Sequence, residues 1–187
     1  VYLHKTVVSA ENILIFSFFR AKQLVRSNHQ VFASPALQYF LQNDVTTADF
    51  ETKEKVLENF IQLDDFDIMG ALKVWQFDSD TILADLSRRI VERKLFKITF
   101  SKTPFEAGLI EEKRKMIAEK LQINFDEASY YVMSDKLVNN AYSQEKQNIK
   151  ILMKDGSIQD LADAVDNYNI SPLAKPVEKY FLLEAKL

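Results

Sequence analysis

Tyr2, His4 and Lys5 stand together at the head of an apolar helical pattern. An aromatic ring, an imidazole and an ammonium so close can stack a flat base and hold a phosphate. The simpler reading is a structural His and a solvated Lys at a helix start. A second group is basic: Arg88-Arg89, Arg93-Lys94 and then Lys97. Arg forks match phosphate oxygens, so this run is a candidate phosphate-binding edge. The competing reading is a solvated helix face that favours the negative C-terminal end of the helix dipole. The acidic group Asp64, Asp65, Asp67 has the spacing to share a divalent cation, and Asp78 and Asp80 form a second acidic group. Both sit where helical periodicity restarts, so they are read as caps. The mixed run Glu111-Glu112-Lys113-Arg114-Lys115 is read as an exposed helix face.

Composition narrows the chemistry. The chain has 187 residues, 47% of them hydrophobic and 27% charged, which suits a packed core rather than disorder. Its net charge of -3, from 24 Lys+Arg against 27 Asp+Glu, argues against a protein that coats nucleic acid. There is no Cys, which removes disulfides, thiolate metal sites and Cys nucleophiles. Two His, His4 and His29, cannot build a several-histidine metal centre within the chain. Three Gly leave no glycine-rich phosphate loop. No apolar run reaches the roughly 18 residues of a membrane span. The chain begins at Val1 and is in helical pattern by Tyr2, with no signal-peptide pattern. The expectation is a cytoplasmic protein of which this is the C-terminal piece.

The elements that must position these residues are helical first. Residues 2–26 carry apolar stripes wide enough to predict a helix buried on most sides. Ser34-Pro35 starts a short helix, and Thr46 to Asp49 reads as polar loop or cap. Helices follow over 51–62 (Val56, Leu57, Phe60 and Ile61 inward), 66–75 and 80–94. The second half changes character. Strands are predicted at Lys97–Phe100, Tyr130–Met133, Ile149–Met153 and Val177–Ala185, with a helix from Glu106 to Leu121. Asp155-Gly156 predicts a type I′ hairpin turn. The fold class expected is mainly α: residues 1–94 form a helical part, and residues 95–187 a small α+β lobe.

Tyr2-Leu3-His4-Lys5 resembles the Y-x-H-K helix start of HD-domain phosphohydrolases of the deoxynucleoside triphosphate triphosphohydrolase kind. Leu63-Asp64-Asp65-Phe66-Asp67-Ile68, Leu86 and Arg93-Lys94-Leu95-Phe96-Lys97 resemble that family's L-x-D…L…R-x-L-F-K segment. Ile149 to Leu152, Leu161 and Val177-Glu178-Lys179-Tyr180-Phe181 resemble its C-terminal strand lobe. The resemblance implies buried helices of an HD-type domain followed by a regulatory and assembly lobe. It implies that Tyr2 lies by the substrate, that His4 and Lys5 reach an activating nucleotide, and that Arg93 and Lys97 reach activator phosphates. It also implies a metal site of a His, a His-Asp pair and a further Asp, upstream of the position of Tyr2 and unmatched in this chain. A divalent metal such as Mg or Mn would then belong to a preceding part, and this chain alone would be inactive.

The function this implies is hydrolysis of dNTPs to deoxynucleoside and tripolyphosphate. This part would serve as substrate wall, nucleotide-effector site and oligomerisation surface, in a homo-oligomer. The alternative is a non-catalytic helical protein-interaction module. Nucleic-acid binding through Arg88, Arg89, Arg93 and Lys97 is the weaker third reading, given the net charge. The wide apolar surface of the first helix predicts an exposed patch that favours self-association or cover by a preceding half.

Overall fold

A computed structural model describes residues 4–139, 150–160 and 177–186. The architecture is mainly α with a small α+β lobe, as the sequence pattern predicts. Six helices come first: α1 (Lys5–Arg26), α2 (Pro35–Gln42), α3 (Thr47–Thr52), α4 (Glu54–Phe60), α5 (Asp65–Trp75) and α6 (Thr81–Val91). Strand β1 (Lys97–Ser101), helix α7 (Ala107–Leu121), a 3-10 turn (Glu127–Tyr130) and β2 (Val132–Asn139) follow. The short strands β3 (Lys150–Leu152) and β4 (Ile158–Asp160) and the strand β5 (Val177–Glu184) complete the described elements.

Local chemistry sets the helix starts. Ser34 Oγ accepts from the Leu37 amide with Pro35 at the first helical position. Asp64 and Asp67 form a reciprocal capping box on α5. Asp80 accepts from the Leu83 amide at 2.8 Å and caps α6. Of the two readings of Thr46 to Asp49, polar loop or cap, the structure shows the cap: Thr46 and Asp49 form a capping box at the entry to α3. Helix α6 ends at Val91, three residues before the expected 94.

Helix α1 departs from expectation. Its buried stripe is Val8, Ser9, Ile13, Ser17 and Ala21, while Ile15 and Phe19 are exposed. Two serines therefore occupy core positions. Ser17 Oγ donates to its own helix at Ile13 O, and Ser9 Oγ donates to Phe96 O at 3.0 Å. Small side chains let α1 lie close along α6, which itself buries Ala84 and Ser87. On α4 only Val56 is buried; Leu57, Phe60 and Ile61, expected inward, face out.

The sheet order is β1-β5-β2, antiparallel throughout. Lys97 lies opposite Glu184, and Val132 faces Glu184 from the other side. The central strand β5 buries Phe181, Leu182 and Leu183 in succession, because both of its faces are covered. Tyr130 and Tyr131 precede β2 rather than starting it, Tyr130 ending the 3-10 turn. The β3–β4 turn is not type I′. Gly156 alone in it has positive φ, at 85°, and its amide bonds to Met153 O. That is a turn closed by a left-handed Gly, the usual longer-loop alternative.

Two cores share α1 and α6. Val8, Ile13, Ile82 and Leu86 pack with Phe96, Ile98, Ile117, Tyr131, Val132 and the β5 run. Ala21, Val31, Leu37, Leu41, Leu72, Trp75 and Leu83 form the second. Ser87 Oγ is buried without a hydrogen-bond partner among the described residues. A buried hydroxyl left unpaired costs about 1–3 kcal/mol of desolvation, and Ala also has the better helix propensity. Ser87→Ala is therefore expected to raise stability by about 1 kcal/mol, read as a higher urea midpoint at unchanged slope. A lower midpoint would show that the hydroxyl is needed.

Candidate functional site

The turn from α6 into β1 carries the candidate basic residues Arg93 and Lys97. Helix α6 ends with the Arg93 amide on Ile90 O and the Lys94 amide on Arg89 O at 2.9 Å. This double closure is the Schellman ending, which places one residue in the left-handed region. Gly is usual there, but here the residue is Arg93, with φ 57°. A side chain at that position costs roughly 1–2 kcal/mol. Strand β1 follows, with Lys97 as its first residue.

Helix α1 reaches the same turn through Ser9. Lys5 and Ser9 are four apart and share a helix face. The Ser9 hydroxyl bonds to the carbonyl of Phe96, immediately before Lys97. The start of α1 is thereby held against the turn. Lys5, Arg93 and Lys97 line one cavity of about 470 Å³, together with Lys186 from the end of the described chain. Thr6 and Thr99 add hydroxyls to its wall. A neighbouring cavity of about 510 Å³ shares Arg93, Leu95 and Lys186 with it and adds Arg88, Arg89 and Lys94. Arg93 stands on the boundary between the two.

The cations differ in what already holds them. Arg89 donates to Asp85 at 2.7 Å and lies 5.1 Å from the Phe96 ring, and Arg88 donates to Gln76 O. Lys94 pairs with Glu92. Those three already have partners. Lys97 pairs with Glu184 at 2.9 Å, yet its side chain is 60% exposed. Glu184 is shared with Lys113. Burial pushes the Glu184 carboxyl up, but the bonds from Lys113 and Lys97 outweigh it and hold the group below the ordinary range. It stays charged at neutral pH and keeps Lys97 tethered. Lys5 lies 5.9 Å from the Phe100 ring. Among the described residues no carboxylate pairs with Lys5, Arg93 or Lys186.

His4 does not join this cavity. It caps α1, its Nδ1 accepting from the Thr6 amide at 3.3 Å. Tyr2 lies outside the described residues, as does much of the predicted strand lobe around residue 149 and Leu161. Asp64, Asp67 and Asp80 act as caps. Among the described residues no group of three His, Asp or Glu side chains is placed to hold a metal ion. Also among these residues, no helix is long and apolar enough to cross a membrane. Lys186 and Glu184 were not singled out by sequence reasoning. Their place depends on β5 lying beside β1, which no local pattern specifies.

No family model matches the sequence. An uncharacterized protein of Bacillus subtilis, YwfO, is 29% identical over 169 residues, covering 87% of this chain and 36% of that protein. The crystal structure of a phosphohydrolase from Bacteroides thetaiotaomicron superposes with a TM-score of 0.82 at 42% sequence identity. The match covers 100% of this chain and 46% of that one. The chain thus spans less than half the length of either, and its likeness is to one part of a phosphohydrolase.

Proposed function

We propose that this chain is the effector-binding and assembly part of a phosphohydrolase of the HD-domain kind, which converts dNTPs to deoxynucleoside and tripolyphosphate. The observation that carries the reading is the meeting of Lys5, Arg93 and Lys97 at one cavity. Three cations on two separate chain segments suit the phosphates of a nucleotide such as GTP or a dNTP. The likeness to a phosphohydrolase supports the class of reaction. The divalent metal, Mg or Mn, and its His and Asp ligands belong on this reading to another part of the polypeptide. Tyr2 would serve as substrate wall, and His4, the cap of α1 next to Lys5, would reach the same nucleotide.

The test uses the longest natural polypeptide that carries the chain. It is incubated with mixed dNTPs and Mg²⁺ or Mn²⁺, with and without GTP, and the products are separated by chromatography. Release of deoxynucleoside and tripolyphosphate that depends on added nucleotide is expected. Arg93→Ala with Lys97→Ala should abolish that dependence. Release without nucleotide dependence keeps the hydrolase and removes the effector site. No release with any nucleotide overturns the reading.

A second reading has its own observation. Ile15, Leu57, Phe60, Ile61 and Phe66 are large, apolar and exposed. Leu57, Phe60 and Ile61 are three and four apart and share one face, and an exposed apolar face suits contact with other protein. It suits homo-oligomer formation or cover by further helices, and equally a non-catalytic interaction module. The 187-residue chain alone is expected to self-associate in light scattering and to bind an apolar dye. A dye-silent monomer would count against both uses of the surface. The reading places the protein in the cytoplasm, with nucleotides rather than nucleic acid as partners.

A further inference from the structure

A cavity of about 390 Å³ lies where α1, the segment between α2 and α3, and the 3-10 turn meet, apart from the basic cavities. Its floor is aromatic. Phe16 and Tyr130 pack edge to face, with centroids 6.0 Å apart and planes at 89°. Phe19, one turn from Phe16, is 58% exposed at the mouth. The Tyr130 hydroxyl donates to Gln23 Oε1 at 2.7 Å, which holds the floor and leaves the Gln23 amide NH₂ as a donor.

The rim is cationic. Lys22 and Arg26 are one turn apart and both pair with the same oxygen of Asp44. The Asp44 and Arg26 side chains are 74% and 54% exposed, so their pair is solvated and weak, whereas Lys22 is 25% exposed and also donates to Asn43 O at 2.8 Å. Two cations against one carboxylate leave the rim a unit positive. An arriving anion can therefore engage Arg26 without stripping a buried partner.

We propose that this cavity binds a flat aromatic ring bearing one anionic group. The ring would lie against Phe19, Phe16 and Tyr130, and the anion on Arg26 and Lys22, with the Gln23 amide beside it. Its volume is near the small end of the roughly 300–1,000 Å³ of ligand sites, which favours one ring and one acid group over a larger ligand. An aryl phosphate and an aryl carboxylate share this chemistry. The site stands apart from the effector reading and does not depend on it.

The test is an amide-detected NMR titration of the whole chain with phenyl phosphate, benzoate, inorganic phosphate and benzyl alcohol. Phenyl phosphate or benzoate is expected to saturate at about millimolar concentration. Shifts should centre on Lys22, Gln23, Arg26 and Ser129. Tighter binding of the first assigns a phosphate source, and of the second a carboxylate source. Phosphate or benzyl alcohol alone should bind at least about tenfold more weakly, since each supplies half of the contact. Phe19→Ala and Arg26→Ala, both at exposed side chains, should each weaken binding about tenfold. Arg93→Ala should leave it unchanged. Equal binding of phosphate alone, no saturable shift, shifts centred on Lys5 and Lys97, or indifference to both cavity substitutions would overturn the proposal.

Discussion

Arg20→Met is expected to cost about 2–4 kcal/mol of stability. Arg20 donates through Nε and Nη2 to both oxygens of Asp80, at 3.0 and 2.6 Å. It also reaches Glu127 at 3.3 Å and lies 5.9 Å from the Tyr130 ring. Asp80 is at once the N-cap of α6. One guanidinium therefore ties α1, α6 and the 3-10 turn together. The Arg20 and Asp80 side chains are only 16% and 13% exposed, so the pair is not the solvated kind worth less than about 1 kcal/mol. Removing Arg20 strands a mostly buried carboxylate; residual solvent access keeps the loss below the upper end for fully buried pairs.

The same pair gives the effect a pH dependence. Burial pushes the Asp80 carboxyl up, but bonds from Arg20 and the Leu83 amide, with the Arg20 charge, leave it below the ordinary value. A carboxyl lowered in the folded state stabilises above its unfolded value and loses that contribution as pH falls through the folded one. The gap between wild type and Arg20→Met should thus be full near about pH 6 and shrink below about pH 4. Urea unfolding at about pH 6 and pH 3 would read it. A loss under about 1 kcal/mol, or a gap that does not shrink, would show that the ion pair does not hold these elements together.

Much of this fold was legible because its signals are local. Ser34, Asp64 and Asp80 cap within three residues of themselves, and any reading of sequence order finds them. Burial was less legible. Leu57, Phe60 and Ile61 have helical spacing, but spacing defines a face and not what covers it. Ser9 and Ser17 went unnoticed as core residues because hydrophobicity is blind to small side chains that bond within or across a helix. The Asp155-Gly156 pair announced a turn, while its type depended on how many residues adopt positive φ.

The site divides the same way. Lys5, Arg93 and Lys97 were each visible as residue types at suggestive positions. That they meet depends on the bond from Ser9 to Phe96, 87 residues apart in sequence, which no motif encodes. Lys186 was invisible for a related reason: it reaches both cavities only because β5 pairs with β1. His4, next to Lys5 in sequence, points its ring nitrogen back to its own helix instead. Neighbours in a motif thus part company once one of them is recruited as a cap.

Arg93→Gly is expected to separate binding from stability, with opposite signs. Position 93 has φ 57°, as the Schellman ending of α6 requires. Gly occupies that region without the roughly 1–2 kcal/mol cost of a side chain, though it also loosens the unfolded chain by about 0.5–1 kcal/mol. Stability should therefore hold or rise by up to about 1 kcal/mol. On the proposed effector role, the same change removes the guanidinium between the two basic cavities. A charged hydrogen-bonding contact contributes about 1.5–3 kcal/mol, so affinity for GTP should fall roughly tenfold to a hundredfold. Arg93→Lys should recover part of the binding, because the charge returns without the fork, while leaving the backbone cost in place. Paired titration and unfolding of the three proteins decides the matter. Retained GTP affinity in Arg93→Gly would assign Arg93 no ligand. A drop in its stability would mean that the side chain, and not the turn, holds the end of α6.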